Sequence, residues 1–296
     1  MSKMLSVLYG DVALAWHLLQ FVPRRSTVVV YHSLDLRWVV PVIGALKSYQ
    51  VILEVEEIYS DTISGFRRTA LRPLERWQIR AADKYILSTE LMLDLPGVRN
   101  SESVVLYGNY EAAPAKGRGR SGKSILYAGI IDSLKGGAAR ALDTAALLSD
   151  EFEMHIAGFG SPEDVSLFES RISDYRGDCP VIFHGRLEPG ELGRLMEKCD
   201  IGLSSQGIGS AYNLTSFPSK ILEYLRNDMK VVSVPAVAVT SSTLASAIFF
   251  SRDDSAPSLA EAVREAVEYV GTGGVNVVSD LHVAFTNDLA ALLGSS

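Results

Sequence analysis

Short β-branched runs alternate with longer helical stretches along almost the whole chain, and this alternation constrains the fold more than any other feature. In the first half, strands are expected at 27–32, 51–55, 84–88 and 103–106, with helices over 5–19, 36–47 and 64–82. In the second half, strands are expected at 124–128, 153–157, 181–184, 201–204, 230–234 and 248–251. The intervening helices are expected at 137–149, 162–174, 189–198, 218–226, 258–270 and 280–293. A strand followed by a helix long enough to return the chain makes parallel pairs with right-handed crossovers. The pattern excludes an all-β sandwich and a helical bundle.

The alternation breaks between residues 109 and 122, which are rich in Ala, Pro, Gly and basic side chains. Such a stretch reads as a linker. The expected division is therefore 1–110, a linker at 111–123, a second domain at 124–280 and a closing helix at 281–296. The expected fold class is α/β, with two Rossmann-like domains facing across a cleft and ligands outside the carboxyl ends of the strands. The chain has 296 residues, enough for two such cores.

Composition narrows the function. Residues 1–110 carry 12 basic and 11 acidic side chains, whereas residues 125–296 carry 12 and 23. The second half is a poor general binder of nucleic acid, so an anionic ligand there must be held by a few placed groups. Cys179 and Cys199 are the only cysteines. They imply no disulfide framework, fit a reducing cytoplasm, and are too few for a zinc cage. No apolar run approaches the ~20 residues of a membrane span, and residues 1–10 do not read as a leader. Asp-x-Asp and His-Glu-x-x-His are both absent, so no metal is expected.

Residues 117–124, Gly-Arg-Gly-Arg-Ser-Gly-Lys-Ser, match the P-loop letters. A P-loop sits between a strand and a helix; here the linker precedes it and a strand follows, so it reads as basic linker. Gly158 and Gly160 are expected just past a strand, opening a helix. They serve a tight turn, a close ligand approach, or both. Within 215–225, Thr215 or Ser216 can cap a helix with Pro218 in its first turn. Lys220 in that turn opposes the helix dipole unless an anion binds there. Glu223 follows three residues later on the same face. The pair reads equally as ligands for a diphosphate and a sugar diol, or as a surface ion pair. Asp132 to Gly137 repeats the logic, with Lys135 ahead of two glycines.

The second half resembles the donor-binding domain of GT-B glycosyltransferases, most closely glycosyltransferase family 4. The resemblance rests on Tyr127-Ala-Gly129 to Lys135-Gly136, His155-Ile-Ala-Gly158-Phe-Gly160, Val181 to Gly185, Cys199 to Ser204, and Phe217-Pro-Ser-Lys220 to Glu223-Tyr224. It implies that Lys135 and Lys220 bind the nucleotide diphosphate, Glu223 the ribose, and the backbone near Arg186 and Leu187 the base. Gly129, Gly158, Gly160 and Ser219 line the same implied site. The implied activity is retaining, metal-independent transfer of a hexose from a nucleotide sugar, UDP-linked first and GDP-mannose next, with no further cofactor. The acceptor would be a saccharide or lipid-linked saccharide in surface polysaccharide synthesis. Two departures stand out: Ile130 replaces an arginine frequent after the first glycine, and Thr215 replaces a glutamate frequent eight positions before the ribose-binding one. They motivate the alternative of a non-catalytic sugar-nucleotide-binding partner of another transferase.

The first half supplies other candidates. Glu56 and Glu57 stand at the carboxyl end of an expected strand, as a contact to substrate hydroxyls or a base, and His32 ends the preceding one. Strand alternation turns at most one of the two carboxylates toward a given face. Arg68, Arg72, Arg76, Arg80 and Lys84 recur every four residues. They form a stripe that is either a solvated face or an attraction to anionic headgroups, with Trp77 beside it. The expected place is the cytoplasm, at the inner face of a membrane if the stripe docks. Against this architecture the first half is expected to be shortened, without its usual first strand and glycine-rich loop, and a partner protein completing it is expected.

Overall fold

The computed structural model describes residues 3–34, 38–63, 65–111, 122–133, 136–209, 216–271 and 274–294. The chain divides into two compact units: unit 1 takes residues 1–107, 211–217 and 284–296, and unit 2 takes 108–210 and 218–283. The expected linker at 111–123 lies almost entirely outside the described residues.

Unit 1 is built on β1 (Thr27–Tyr31), β2 (Gln50–Val55), β3 (Lys84–Leu87) and β4 (Glu102–Val105), paired in that order and all parallel. Its helices are α1 (Lys3–Phe21), α2 (Val39–Lys47), α3 (Tyr59–Thr62) and α4 (Gly65–Arg80). Side chains of β2 alternate between the two faces. Val51 packs with α1 and α2, and Leu53 and Val55 pack with Ile79 of α4. Ile52 points the other way. A parallel sheet needs both faces covered, and β2 is apolar on both.

Unit 2 contains β5 (Ser124–Ile131), β6 (Glu153–Gly160), β7 (Val181–Gly185), β8 (Ile201–Ser204), β9 (Lys230–Ser233) and β10 (Ile248–Phe250). They form one parallel sheet in the order β10-β9-β8-β5-β6-β7. Its helices are α5 (Gly137–Ala145), α6 (Pro162–Ser173), α7 (Pro189–Lys198), α8 (Ser219–Arg226), α9 (Val237–Thr240) and α10 (Ala256–Glu268). Ile125, Met154, Ile156, Leu203 and Val232 of the strands pack with Ala141 and Leu142 of α5, Phe168 of α6 and Val263 of α10. The chain runs outward from β5 through β6 and β7, then returns to β8. The direction of winding therefore reverses between β5 and β8, which makes that junction the topological switch point.

The last helix, α11 (Val275–Leu293), corrects the expected closing helix at 281–296. Phe285, Leu289 and Leu292 pack with Ile52, Ile86 and Val104 of unit 1, and Lys84 Nζ donates to the Leu292 carbonyl at 2.7 Å. The second face of the unit 1 sheet needs this cover, so the end of the chain belongs to unit 1 rather than standing apart.

Candidate functional site

β5 and β8 pair only at Ile125 with Ile201 and Leu126 with Gly202. Beyond that point the strands part, and the Ala128 N–H donates to Tyr224 Oη of α8 at 2.8 Å. Tyr224 is fully buried, and burial raises its phenol well above its ordinary value, so the hydroxyl stays protonated. Its ring lies over Gly202, where a Cβ would stand 2.2 Å from ring atoms. Tyr224 thus fills the crevice between the parting strands and fixes α8 at the switch point.

α8 carries Ser219, Lys220 and Glu223. Lys220 Nζ lies 2.8 Å from Glu223 Oε2, and both side chains are about one-third exposed, at 33% and 36%. The N-cap is Pro218, and no side chain caps the first turn. The expectation that Ser216 caps this helix is therefore corrected: it stands two residues ahead of the cap position, and Thr215 lies outside the described residues. The uncapped first-turn N–H groups and an adjacent ammonium have the composition of an anion site. Ser219 is exposed beside them.

The glycines take a different place from the one expected. Gly129 lies within β5, and Gly158 and Gly160 lie within β6 rather than in a turn after it. A Cβ at residue 158 would stand 2.1 Å from the Gly129 carbonyl oxygen, and one at residue 160 would stand 2.0 Å from that of Ile131. Their absent side chains let β5 and β6 stay paired to their ends, Gly129 with Gly158 and Ile131 with Gly160. Gly129 itself lies under Tyr127, whose Oη would stand 2.8 Å from a Cβ.

After β5 the chain turns through Asp132, whose carbonyl accepts from the Gly136 N–H at 2.9 Å. Gly136 has φ 65°, a left-handed geometry that favours glycine. Lys135 lies outside the described residues. A cation that sequence reading missed stands nearby. Arg140 Nη1 donates to the Ser205 carbonyl at 3.0 Å, Nη2 is 3.4 Å from Asp254 Oδ2, and Ser205 Oγ donates to the Gly137 carbonyl at 2.8 Å. This network ties the end of β8 to the start of α5 across the switch point. Its sequence signal was weak, because Arg140 sits in a helix and not in a glycine-rich turn. At the end of β7, Arg186 is exposed, with its guanidinium 5.4 Å from the centroid of the exposed Phe159 ring, and Leu187 is half-buried.

In unit 1 the His32 ring lies beside the Glu57 backbone, whereas the Glu56 side chain turns outward to Tyr31. His32 is only 1% exposed, so it is an interior group and not a surface base. It stacks on Tyr59 with ring centroids 5.2 Å apart, and its Nε2 lies 3.5 Å from Oε1 of the equally buried Glu75. Burial holds the imidazole below its ordinary range, against the pull of Glu75. Glu75 also accepts from the Ser60 N–H at 3.1 Å, which ties α4 to α3. Glu56 is exposed and accepts from Tyr31 Oη at 2.6 Å, whereas Glu57 is half-buried. Tyr31 was missed because it reads as one more residue of a β-branched strand. Its phenol is raised by burial and then by its bonds to Glu56 and Tyr59.

No protein-family model and no curated protein matches the chain. Solved structures do. Anabaena HepE, in complex with UDP and glucose, is similar with a TM-score of 0.68 at 13% identity, over 98% of this chain and 81% of that one. The α,α-trehalose-phosphate synthase (UDP-forming) of Burkholderia xenovorans, in complex with glucose-6-phosphate, gives 0.61 at 13% identity, over 95% and 75%. The pneumococcal O-GlcNAc transferase GtfA, in complex with UDP and GlcNAc, gives 0.60 at 13%, over 95% and 60%. The fold is GT-B. Among the described residues, unit 1 of this GT-B chain has four strands against six in unit 2, and each sheet is parallel throughout.

Proposed function

We propose that this GT-B chain, similar to glycosyltransferase family 4, transfers a hexose from a UDP-linked donor to a saccharide or lipid-linked acceptor in surface polysaccharide synthesis. The observation that carries the reading is the start of α8. An uncapped helix start, Lys220 and Glu223 stand together at the switch point, held there by Tyr224. The similarity to HepE, whose structure holds UDP and glucose, supports a uridine nucleotide over a guanosine one.

In this reading the donor separates the ion pair. Lys220 turns to the diphosphate, and Glu223 accepts from the ribose hydroxyls. Cleavage of the sugar C1–O bond leaves an added negative charge on the departing diphosphate. The Lys220 ammonium and the first-turn N–H groups of α8 stabilise that charge where it develops, which is the largest class of catalytic effect. Arg140 extends the cationic surround, and the family resemblance assigns Lys135 to the diphosphate as well. Retention and independence from metal follow from the family resemblance. Gly129, Gly158 and Gly160 keep the strand ends beneath the donor free of side chains, and the Arg186–Leu187 backbone frames the base.

Titration calorimetry with UDP, paired with a turnover assay on UDP-glucose and UDP-GlcNAc, tests the proposal. Binding with hydrolysis or transfer supports it. UDP binding without turnover of any donor would favour the non-catalytic partner, a reading for which the departures at Ile130 and Thr215 speak. Absence of UDP binding would remove both.

A further inference from the structure

Unit 1 carries a basic groove that holds none of the donor-site residues named above. Arg68, Arg72, Arg76 and Arg80, with Thr69 and Pro73, line an open groove of about 540 Å3 along α4. Arg68 is paired with Asp61 at 2.9 Å. Arg72, Arg76 and Arg80 have no acidic partner among the described residues. The one acid of α4, Glu75, is buried and turned inward on His32, so nothing on the helix surface neutralises the groove. Lys84, expected to continue the stripe, does not belong to it: it is the first residue of β3, paired with Glu102 at 2.7 Å and bonded to the Leu292 carbonyl. Phe66, Leu74 and Trp77 are exposed on the same helix, Phe66 at 86%.

α1 supplies a second signal. Its inner row, Leu14, Ala15 and Leu18, packs with Val39, Val40 and Ile43 of α2. Its outer row, Leu8, Val12, Trp16 and Leu19, is exposed, Trp16 at 61%. A helix apolar on both sides is expected to have both sides covered. α1 and α4 lie on the same face of the unit 1 sheet, because Val51 packs with the former and Leu53 and Val55 with the latter. Among the described residues, no helix is long and apolar enough to cross a membrane.

We propose that this side of unit 1 docks on an anionic phospholipid surface, with Arg72, Arg76 and Arg80 on lipid phosphates and the outer row of α1 at the headgroup boundary. Charge complementarity fixes the occupant. Unneutralised arginines beside exposed Trp and Leu rows suit an interface that is anionic above and apolar below, and stable attachment takes two such signals together. Nucleic acid would use the arginines and leave the apolar row exposed, on a chain of net charge −7.

The test is co-sedimentation of the full chain with vesicles of phosphatidylcholine alone and of phosphatidylcholine mixed with phosphatidylglycerol. Binding to the mixed vesicles only, weakening as salt rises, is expected. Arg72→Glu with Arg76→Glu should lower the partition coefficient by ~10-fold or more, given the pull of each basic residue near such a surface. Trp16→Ser should lower it with the arginines intact. Both are surface changes, and an unchanged thermal midpoint shows that the fold survives. If a charge-reversed chain fails that control, Arg72→Gln with Arg76→Gln replaces it. No sedimentation with mixed vesicles, or equal sedimentation of parent and variants, would overturn the proposal. So would retention of a labelled RNA oligonucleotide by a chain that ignores vesicles.

Discussion

The Ala128 N–H and the Tyr224 hydroxyl form a buried hydrogen bond of 2.8 Å at the point where β5 and β8 separate. One bond therefore joins the sheet of unit 2 to the helix that bears Lys220 and Glu223. Tyr224→Phe keeps the ring over Gly202 and leaves the Ala128 N–H buried without its partner. The expected cost is ~1–3 kcal/mol of unfolding free energy, measured by urea titration. UDP affinity should fall with it, because α8 loses its fixed register. A variant as stable as the parent would mean that water replaces the hydroxyl.

Lys220 and Glu223 should separate by ligand. Lys220→Ala removes a charged hydrogen bond to phosphate, with an expected loss of ~1.5–3 kcal/mol, roughly 10- to 150-fold in Kd. Calorimetry should find that loss with UDP and with pyrophosphate alike. Glu223→Gln should weaken UDP and spare pyrophosphate, since it frees Lys220 and removes only the ribose contact. If UDP affinity is unchanged in Lys220→Ala, the pair is a surface ion pair worth a few tenths of a kcal/mol.

Gly160→Ala tests the strand role of the second glycine. The new methyl would meet the Ile131 carbonyl at 2.0 Å, and a backbone atom cannot move aside as a flexible side chain would. We expect ~1–3 kcal/mol of destabilisation, typical of forced overpacking. A melt that does not shift would return Gly160 to a turn outside the ladder.

The alternation of β-branched runs and helical stretches made both parallel sheets legible, because period and length are local properties of the sequence. The ends of β5 and β6 were not. Glycine reads locally as a turn, whereas Gly158 and Gly160 answer to carbonyls of a strand some 29 residues away in the chain. The pairing of Lys220 with Glu223 was legible as opposed charges three residues apart at a helix start. Arg140 was not, because its partners Ser205 and Asp254 are distant in sequence. His32 shows the same limit: a histidine at a strand end reads as a site residue, and only the packing of Tyr59 and Glu75 makes it an interior one.

That burial has a pH consequence with a definite sign. Burial lowers the pKa of His32 in unit 1, and of His184 in unit 2, where the neighbouring His155 lowers it further. The unfolded chain then binds more protons than the native one just below the ordinary histidine value near ~6.5, so stability is fully present above that pH and falls as pH drops through it. Glu54 acts in the opposite sense, since burial raises its carboxyl, but its window lies lower, from the ordinary carboxylate range upward. Thermal midpoints should therefore decline between about pH 7 and 5.5. His32→Gln should flatten that decline while lowering stability at neutral pH, because it removes the titrating group and the stack on Tyr59 together. If the slope of His32→Gln equals that of the parent, His184 or another group carries the dependence, and His32 is not held neutral by its burial.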